Sequence, residues 1–295
     1  MMPRSARNRR GSRRTRSHFL RLVLSWCGLH ASAGCGSQIA RNDASLFPPP
    51  ARNAITFWGH SCCYIDVDGV GIVTDPVFEK HLLIRRRKVP SPPLSAYAAT
   101  RIILVSHAHS DHLSPETLAT FPKESVILCP EPSARYASGL GPRVQTMRPG
   151  DTYEFPGGRI IAVTADHPGE RWAVVPVPDG RALGFIIETP QDTIYYSGDT
   201  EYFSGFKEVA ATHAPSVAIL NVTGHMRGHE AVRAARDLDV ETVIPLHFAA
   251  FGYLFIGEYK KPRTFDTLQS ELGSILVTLG LGESFPLGAR PLQNP

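Results

Sequence analysis

The sequence predicts an α/β architecture with large sheets. Short apolar runs alternate with segments of helical period, and β-hairpin signals stand early and mid-chain. The 295 residues, 42% hydrophobic and 20% charged, are enough to bury a substantial core.

Regular structure is expected from Ala54. Ile55-Thr56-Phe57-Trp58 and Cys63-Tyr64-Ile65-Asp66-Val67 read as strands, Asp68-Gly69 as a hairpin turn, and Gly71-Ile72-Val73-Thr74-Asp75 as the returning strand. Residues 79–98 hold a basic run, Arg85-Arg86-Arg87-Lys88, and a proline cluster, and are expected to be irregular. The apolar run Ile102-Ile103-Leu104-Val105, ending at Ser106, predicts a buried strand. Ser114-Pro115 then opens a helix, with Ser as N-cap and Pro at the first helical position. Further strands are expected at 126–128, 152–155, 159–165, 182–188, 193–197, 217–221 and 243–247, and helices at 131–139, 230–238 and 264–272.

The N-terminus has a different composition. Residues 1–34 hold eight arginines and no Asp or Glu, then an apolar run Leu22–Leu29, then Ala31-Ser32-Ala33-Gly34 before Cys35. These are the parts of an export signal, and Ser32-Ala33-Gly34-Cys35 resembles a lipobox in which Cys35 is lipidated. The expected organisation is an export signal at 1–34, a linker at 35–53 and one domain at 54–295. The expected location is the periplasm, or a membrane to which Cys35 attaches the chain. If 1–34 is instead a basic arm, the protein is cytoplasmic. With the eight leader charges set aside, the net charge of +4 becomes −4 for the remainder. The body therefore has no basic excess to suggest a nucleic-acid partner. The five cysteines (27, 35, 62, 63 and 129) show no paired framework. Buried free thiols are expected, with a disulfide to Cys129 as the alternative. Cys62 and Cys63, adjacent in a strand, should face opposite ways.

The chemistry concentrates in His107-Ala108-His109-Ser110-Asp111-His112, directly after a predicted buried strand. Imidazole and carboxylate together suit zinc, iron or manganese. In an extended segment 107, 109 and 111 project to one side, and His112 joins them only if the chain bends before the helix at Ser114. Four donors along an arc fit two adjacent ions better than one.

His-x-His-x-Asp-His after a strand resembles the signature of the metallo-β-lactamase fold. Other segments match it in order: Trp58-Gly59-His60-Ser61, Thr74-Asp75-Pro76, Thr164-Ala165-Asp166-His167, Ser197-Gly198-Asp199-Thr200 and Pro245-Leu246-His247-Phe248. The resemblance spans about residues 54–255 and implies a four-layer αββα sandwich. By position it implies His107, His109 and His167 on a first metal and Asp111, His112 and His247 on a second, with Asp199 bridging. Taken singly, His167 also reads as a loop residue, Asp199 as a turn former and His247 as a core histidine.

The branch most resembled contains N-acylphosphatidylethanolamine-hydrolysing phospholipase D and ascorbate-lactone-hydrolase-like proteins. There a His 22 residues before the last ligand is implicated in catalysis, and His225 stands at that spacing from His247. Arg227, Gly228 and His229 depart from that branch's pattern.

The implied activity is hydrolysis of a phosphodiester, lactone or amide in a small-molecule or lipid substrate. Two zinc ions would share a hydroxide, Asp111 would orient it, and His225 would act on the leaving group. His60 and Asp75 are expected behind the ligands, orienting them. An iron-dependent oxidoreductase and a non-catalytic metal-binding protein are the competing readings. In diiron oxidoreductases of this fold a Glu commonly replaces the second His of the motif, whereas His109 is intact here.

Overall fold

The computed structural model describes residues 43–82, 85–169, 171, 181–248, 250–253 and 263–290. The predicted export signal, Cys35 and the first part of the predicted linker, 35–42, lie outside them. No helix among the described residues is long and apolar enough to cross a membrane.

The first sheet comprises β1 (Ala54–Gly59), β2 (Cys62–Val67), β3 (Val70–Thr74), β6 (Thr100–Leu104), β7 (Val126–Cys129), β8 (Arg143–Thr146) and β16 (Ser284–Pro286). Its order is β16-β1-β2-β3-β6-β7-β8, antiparallel as far as β3 and parallel from β3 to β8. The second sheet comprises β9 (Thr152–Phe155), β10 (Gly158–Pro168), β11 (Arg181–Glu188), β12 (Thr193–Tyr196), β13 (Val217–Asn221) and β14 (Thr242–Leu246). Its order is β14-β13-β12-β11-β10-β9, with β12, β13 and β14 parallel.

Period-two alternation places these sheets face to face. Ile55, Phe57, Cys63, Ile65, Ile102 and Leu104 of the first sheet share one core with Ile160, Ala162, Phe185, Tyr196, Ile219 and Ile244 of the second. The alternate residues face outward. Trp58, Cys62, Val73, Ile103 and Ile127 pack with Leu118 and Ala137 of α1 (Pro115–Leu118) and α2 (Glu131–Ala137). Ile186, Tyr195, Ala218, Leu220 and Val243 pack under α3 (Gly205–His213), α4 (Gly228–Leu238) and α5 (Arg263–Leu272). Helices thus cover both outer faces, and the four-layer αββα sandwich is the observed architecture. Cys62 and Cys63 fall in different cores, as period two requires, and both are free buried thiols, as is Cys129.

Residues 79–98 depart from the irregular segment expected of them. They contain β4 (His81–Leu82) and β5 (Arg85–Arg87), and β5 pairs with β15 (Phe251–Tyr253), Arg87 opposite Phe251. The ordering partner lies more than 160 positions away, so the segment has no local pattern to betray it. The basic run is also divided. Arg87 is buried and donates from Nη1 to the Val77 carbonyl (2.7 Å) and from Nη2 to that of Trp58 (3.2 Å), whereas Arg85 reaches the candidate site.

The parallel strands end together. Asp75 follows β3, Ser106-His107 follow β6, Asp199 follows β12, Asn221 closes β13 and His247 follows β14. The carboxyl ends of parallel strands form the usual ligand crevice of α/β sheets.

Glu79, 1% exposed, accepts from the Thr117 hydroxyl at 3.2 Å, and burial raises its carboxyl to about 7. Between the unfolded value, about 4.3, and this raised one, the folded state keeps a proton that the unfolded chain has released. The stability this group contributes therefore falls as pH rises through that window. Glu79→Gln removes the dependence, so its melting temperature relative to the parent is expected to climb from about pH 5 to about pH 8. A difference that stays flat would refute the assignment.

Candidate metal centre

The loop after β6 bends as the motif requires, within the histidine cluster itself. His112 N–H and Leu113 N–H both donate to the His109 carbonyl, at 3.0 and 2.9 Å, folding 109–113 into a turn. The Ser114 hydroxyl then accepts from Thr117 N–H at 3.0 Å and caps α1. Backbone bonds tie this loop to the second sheet: Leu183 N–H donates to the Ser106 carbonyl and Ala108 N–H to that of Gly169. Gly198 lets β12 approach the loop from the far side. At φ +55°, a Cβ there would stand 2.5 Å from the Ser106 Cβ.

All seven expected ligand residues converge. His107, His109, His167 and Asp199 form one set whose donor atoms lie within 4.8 Å of one another. Asp111, His112 and His247 form a second, and His60 belongs to it. Asp199 faces both: its Oδ2 is 3.1 Å from His112 Nε2 and 3.9 Å from His107 Nε2, and its Oδ1 is 3.6 Å from His247 Nε2. His60 was expected behind the ligands, but the structure puts its Nε2 among them, 3.4 Å from Asp111 Oδ2.

Asp75 does lie behind the ligands. Its Oδ2 accepts from His112 Nδ1 (2.7 Å), Ser106 Oγ (2.6 Å) and Tyr196 Oη (2.5 Å), and its Oδ1 from Ser106 N–H (2.7 Å). Ser106 Oγ also lies 2.9 Å from His107 Nδ1. Asp75 could be grouped with His107 and His112 as a third donor set. Four donors already occupy its oxygens, so it orients these rings rather than binding an ion.

Six imidazole nitrogens are buried without a hydrogen-bond partner among the described residues: Nε2 of His60, His107, His109, His112 and His247, and Nδ1 of His167. Leaving one such atom unpaired costs about 1–3 kcal/mol. Gathered around two carboxylates, they form a nitrogen and oxygen cage that suits a borderline cation. Burial draws His107 well below the usual imidazole range and holds His167 and His247 at about 3. Neutral rings are what metal ligation needs.

His225 behaves oppositely. Its Nε2 lies 3.2 Å from Asp199 Oδ2 and its Nδ1 3.3 Å from Glu201 Oε1. The hydrogen bond to Asp199 raises its pKa against the opposing effect of burial, and Glu201 adds to the rise.

Several neighbours of the site carried no usable sequence signal. The Asn221 amide donates to Asp199 Oδ1, and Thr223 Oγ1 lies 3.1 Å from His247 Nδ1. Arg85, by contrast, belongs to the basic run that stands out in the sequence, and its Nη1 donates to Asp111 Oδ2 at 2.6 Å. A Ser, Tyr or Asn at a strand end is common, and only the crossing of strands gives these their roles. Arg171 donates from Nη1 to the Leu113 carbonyl at 2.6 Å and braces the metal loop. Residues 172–180, which follow it, lie outside the described residues.

Asp75→Asn tests the orienting shell. An amide cannot accept from all four donors, and its own NH2 must face at least one of them. Zinc affinity, measured by competition with a chromophoric chelator, is expected to fall about 10–100-fold. An affinity within about threefold of the parent would refute the role.

Residues 71–248 match the Beta-lactamase superfamily domain. A UPF0173 metal-dependent hydrolase of Exiguobacterium sp. is 31% identical over 200 residues, covering 67% of this chain and 86% of that protein. Among solved structures, isothiocyanate hydrolase from Delia radicum gut bacteria is 17% identical, with TM-score 0.64 over 80% of this chain and all of that one. CmlA, a diiron β-hydroxylase from Streptomyces venezuelae, is 13% identical, with TM-score 0.61 over 81% of this chain and 55% of that one. At such identities the two structures speak for the fold alone. The fold and the sequence relationship agree: this chain belongs to the β-lactamase superfamily, as a metal-dependent hydrolase of the UPF0173 family with the metallo-β-lactamase fold.

Proposed function

We propose that the chain is a dinuclear zinc hydrolase acting on a phosphodiester, lactone or amide, with a phospholipase-D-like phosphodiester as the favoured substrate. The observation that carries this reading is the pair of donor sets spanned by the Asp199 carboxylate. Bound there, two zinc ions supply an activated water and a Lewis acid at neutral pH.

The chain's own groups divide the remaining work. Asp111 orients the attacking water while it ligates. His225, held between Asp199 and Glu201 and 27% exposed, stands on the open side, where it can hand a proton to a leaving group. Arg85, 37% exposed and carried on β5, brings a guanidinium to the same place. A fixed cation beside the metals favours a substrate that carries negative charge, which selects the phosphodiester over the neutral lactone and amide. Export through residues 1–34 with lipidation at Cys35 would hold such a site beside a membrane, where lipid phosphodiesters are at hand.

Iron-dependent oxidation is the competing reading. The two donor sets are six His and two Asp without a Glu, a composition that supports zinc.

Elemental analysis and a substrate panel test the proposal. The purified domain is expected to carry about two zinc per chain, to lose activity on chelation and to lose it in Asp111→Ala. One iron per chain with oxygen consumption would overturn it. In Arg85→Ala, KM for a phosphodiester is expected to rise about tenfold or more, with KM for a neutral lactone nearly unchanged. Equal effects on both would remove Arg85 from substrate selection.

A further inference from the structure

His60 sits just past the end of β1, where the chain turns sharply. Gly59 has φ +97° and His60 itself φ +59°. A non-glycine residue in the left-handed region costs about 1–2 kcal/mol, and such strain persists where surrounding contacts hold it. Here two backbone bonds hold it: His60 N–H donates to the Phe248 carbonyl at 3.0 Å, and His247 N–H donates to the His60 carbonyl at 2.9 Å. His247 is left-handed as well, at φ +69°. The ends of β1 and β14, from opposite sheets, are thereby locked together with both imidazoles turned the same way.

The ring of His60 is correspondingly fixed. Its centroid lies 4.1 Å from that of His247 and 5.6 Å from that of His112, and Phe251 closes one side edge-on at 5.2 Å. The residue is 6% exposed, and its Nε2 has no hydrogen-bond partner among the described residues. The neighbouring Asp111 Oδ2, at 3.4 Å, already accepts from Arg85 Nη1 at 2.6 Å. The His60 nitrogen is therefore not needed to satisfy that carboxylate.

We propose that His60 is itself a protein ligand of the second metal, joining Asp111, His112 and His247. This rests on the dinuclear reading above. It makes the two sites unequal, because the second has a fourth protein donor of its own and Asp199 is the one ligand it shares with the first. The second ion should accordingly depend on the end of β1, a part of the chain remote in sequence from every other ligand.

Cobalt titration of the metal-free protein, followed by visible d–d absorption, tests this. The parent is expected to take up two equivalents. His60→Asn keeps a residue that tolerates positive φ but removes the imidazole. Its second equivalent should bind at least about 100-fold more weakly, with altered d–d bands, while the first is unchanged. A ring that merely positioned Asp111 would leave the number of coordinated imidazoles unchanged, so X-ray absorption of the zinc-loaded protein separates the two roles. Loss of one imidazole per pair of ions supports ligation, and an unchanged count overturns it. If the Asn variant does not fold, His60→Gly serves instead. Imidazole from solution should restore its second step, and failure to restore it counts against ligation. A parent that binds a single equivalent would overturn the dinuclear reading itself, a result distinguishable from a change seen only in the variants.

Discussion

The buried carboxylate of Asp75 is the constraint on which the centre depends. A carboxyl group buried in this interior is tolerated only if its oxygens are fully served. Four donors serve them: the backbone and hydroxyl of Ser106, the phenol of Tyr196 and the Nδ1 of His112. Asp75 ends β3 and Ser106 follows β6, whereas Tyr196 belongs to β12 in the opposite sheet. One side chain therefore fixes the loop that carries the ligands, the orientation of two ligand rings and the seating of one sheet on the other at this edge.

Electrostatic demand passes outward from that point. His112 is gripped on one nitrogen by Asp75 and faces Asp199 with the other. Burial drives most of the remaining imidazoles neutral, which leaves their lone pairs directed at one another across a small volume. An interior of this kind is under-satisfied until cations fill it, so metal binding and the order of this edge are thermodynamically linked. His225 escapes that pattern because two carboxylates flank it at the open side. Two histidines a short distance apart are thus given opposite characters by their surroundings.

The strands were largely legible because they rest on period two and on short apolar runs, which are local, whereas their four-layer arrangement was legible only through the family resemblance. The expected strands and helices appear within a few residues of their predicted ends. Among the short pieces, β5, β15 and β16 escaped because they form against partners more than 160 positions away, whereas β4 and β8 are short edge strands with one neighbour each. The ligand residues were legible from one dense motif and from the family order of three later segments. The supporting groups Ser106, Tyr196, Asn221 and Thr223 were not, since nothing in their neighbourhoods distinguishes them from ordinary strand-end polar residues.

The sequence by itself determined which donor groups exist and where along the chain they fall, because ligand chemistry belongs to residue type and short-range spacing. It also marked most of the segments that form strands, because period two and short apolar runs are local. Only the tertiary structure decided which donors meet. Asp75 and Tyr196 are 121 positions apart, and Asp199 faces both sets because Gly198 lets β12 press against Ser106. His60 stands among the ligands because two left-handed residues from opposite sheets bond to each other's neighbourhood. These are consequences of strand register across the sandwich, which no local pattern encodes.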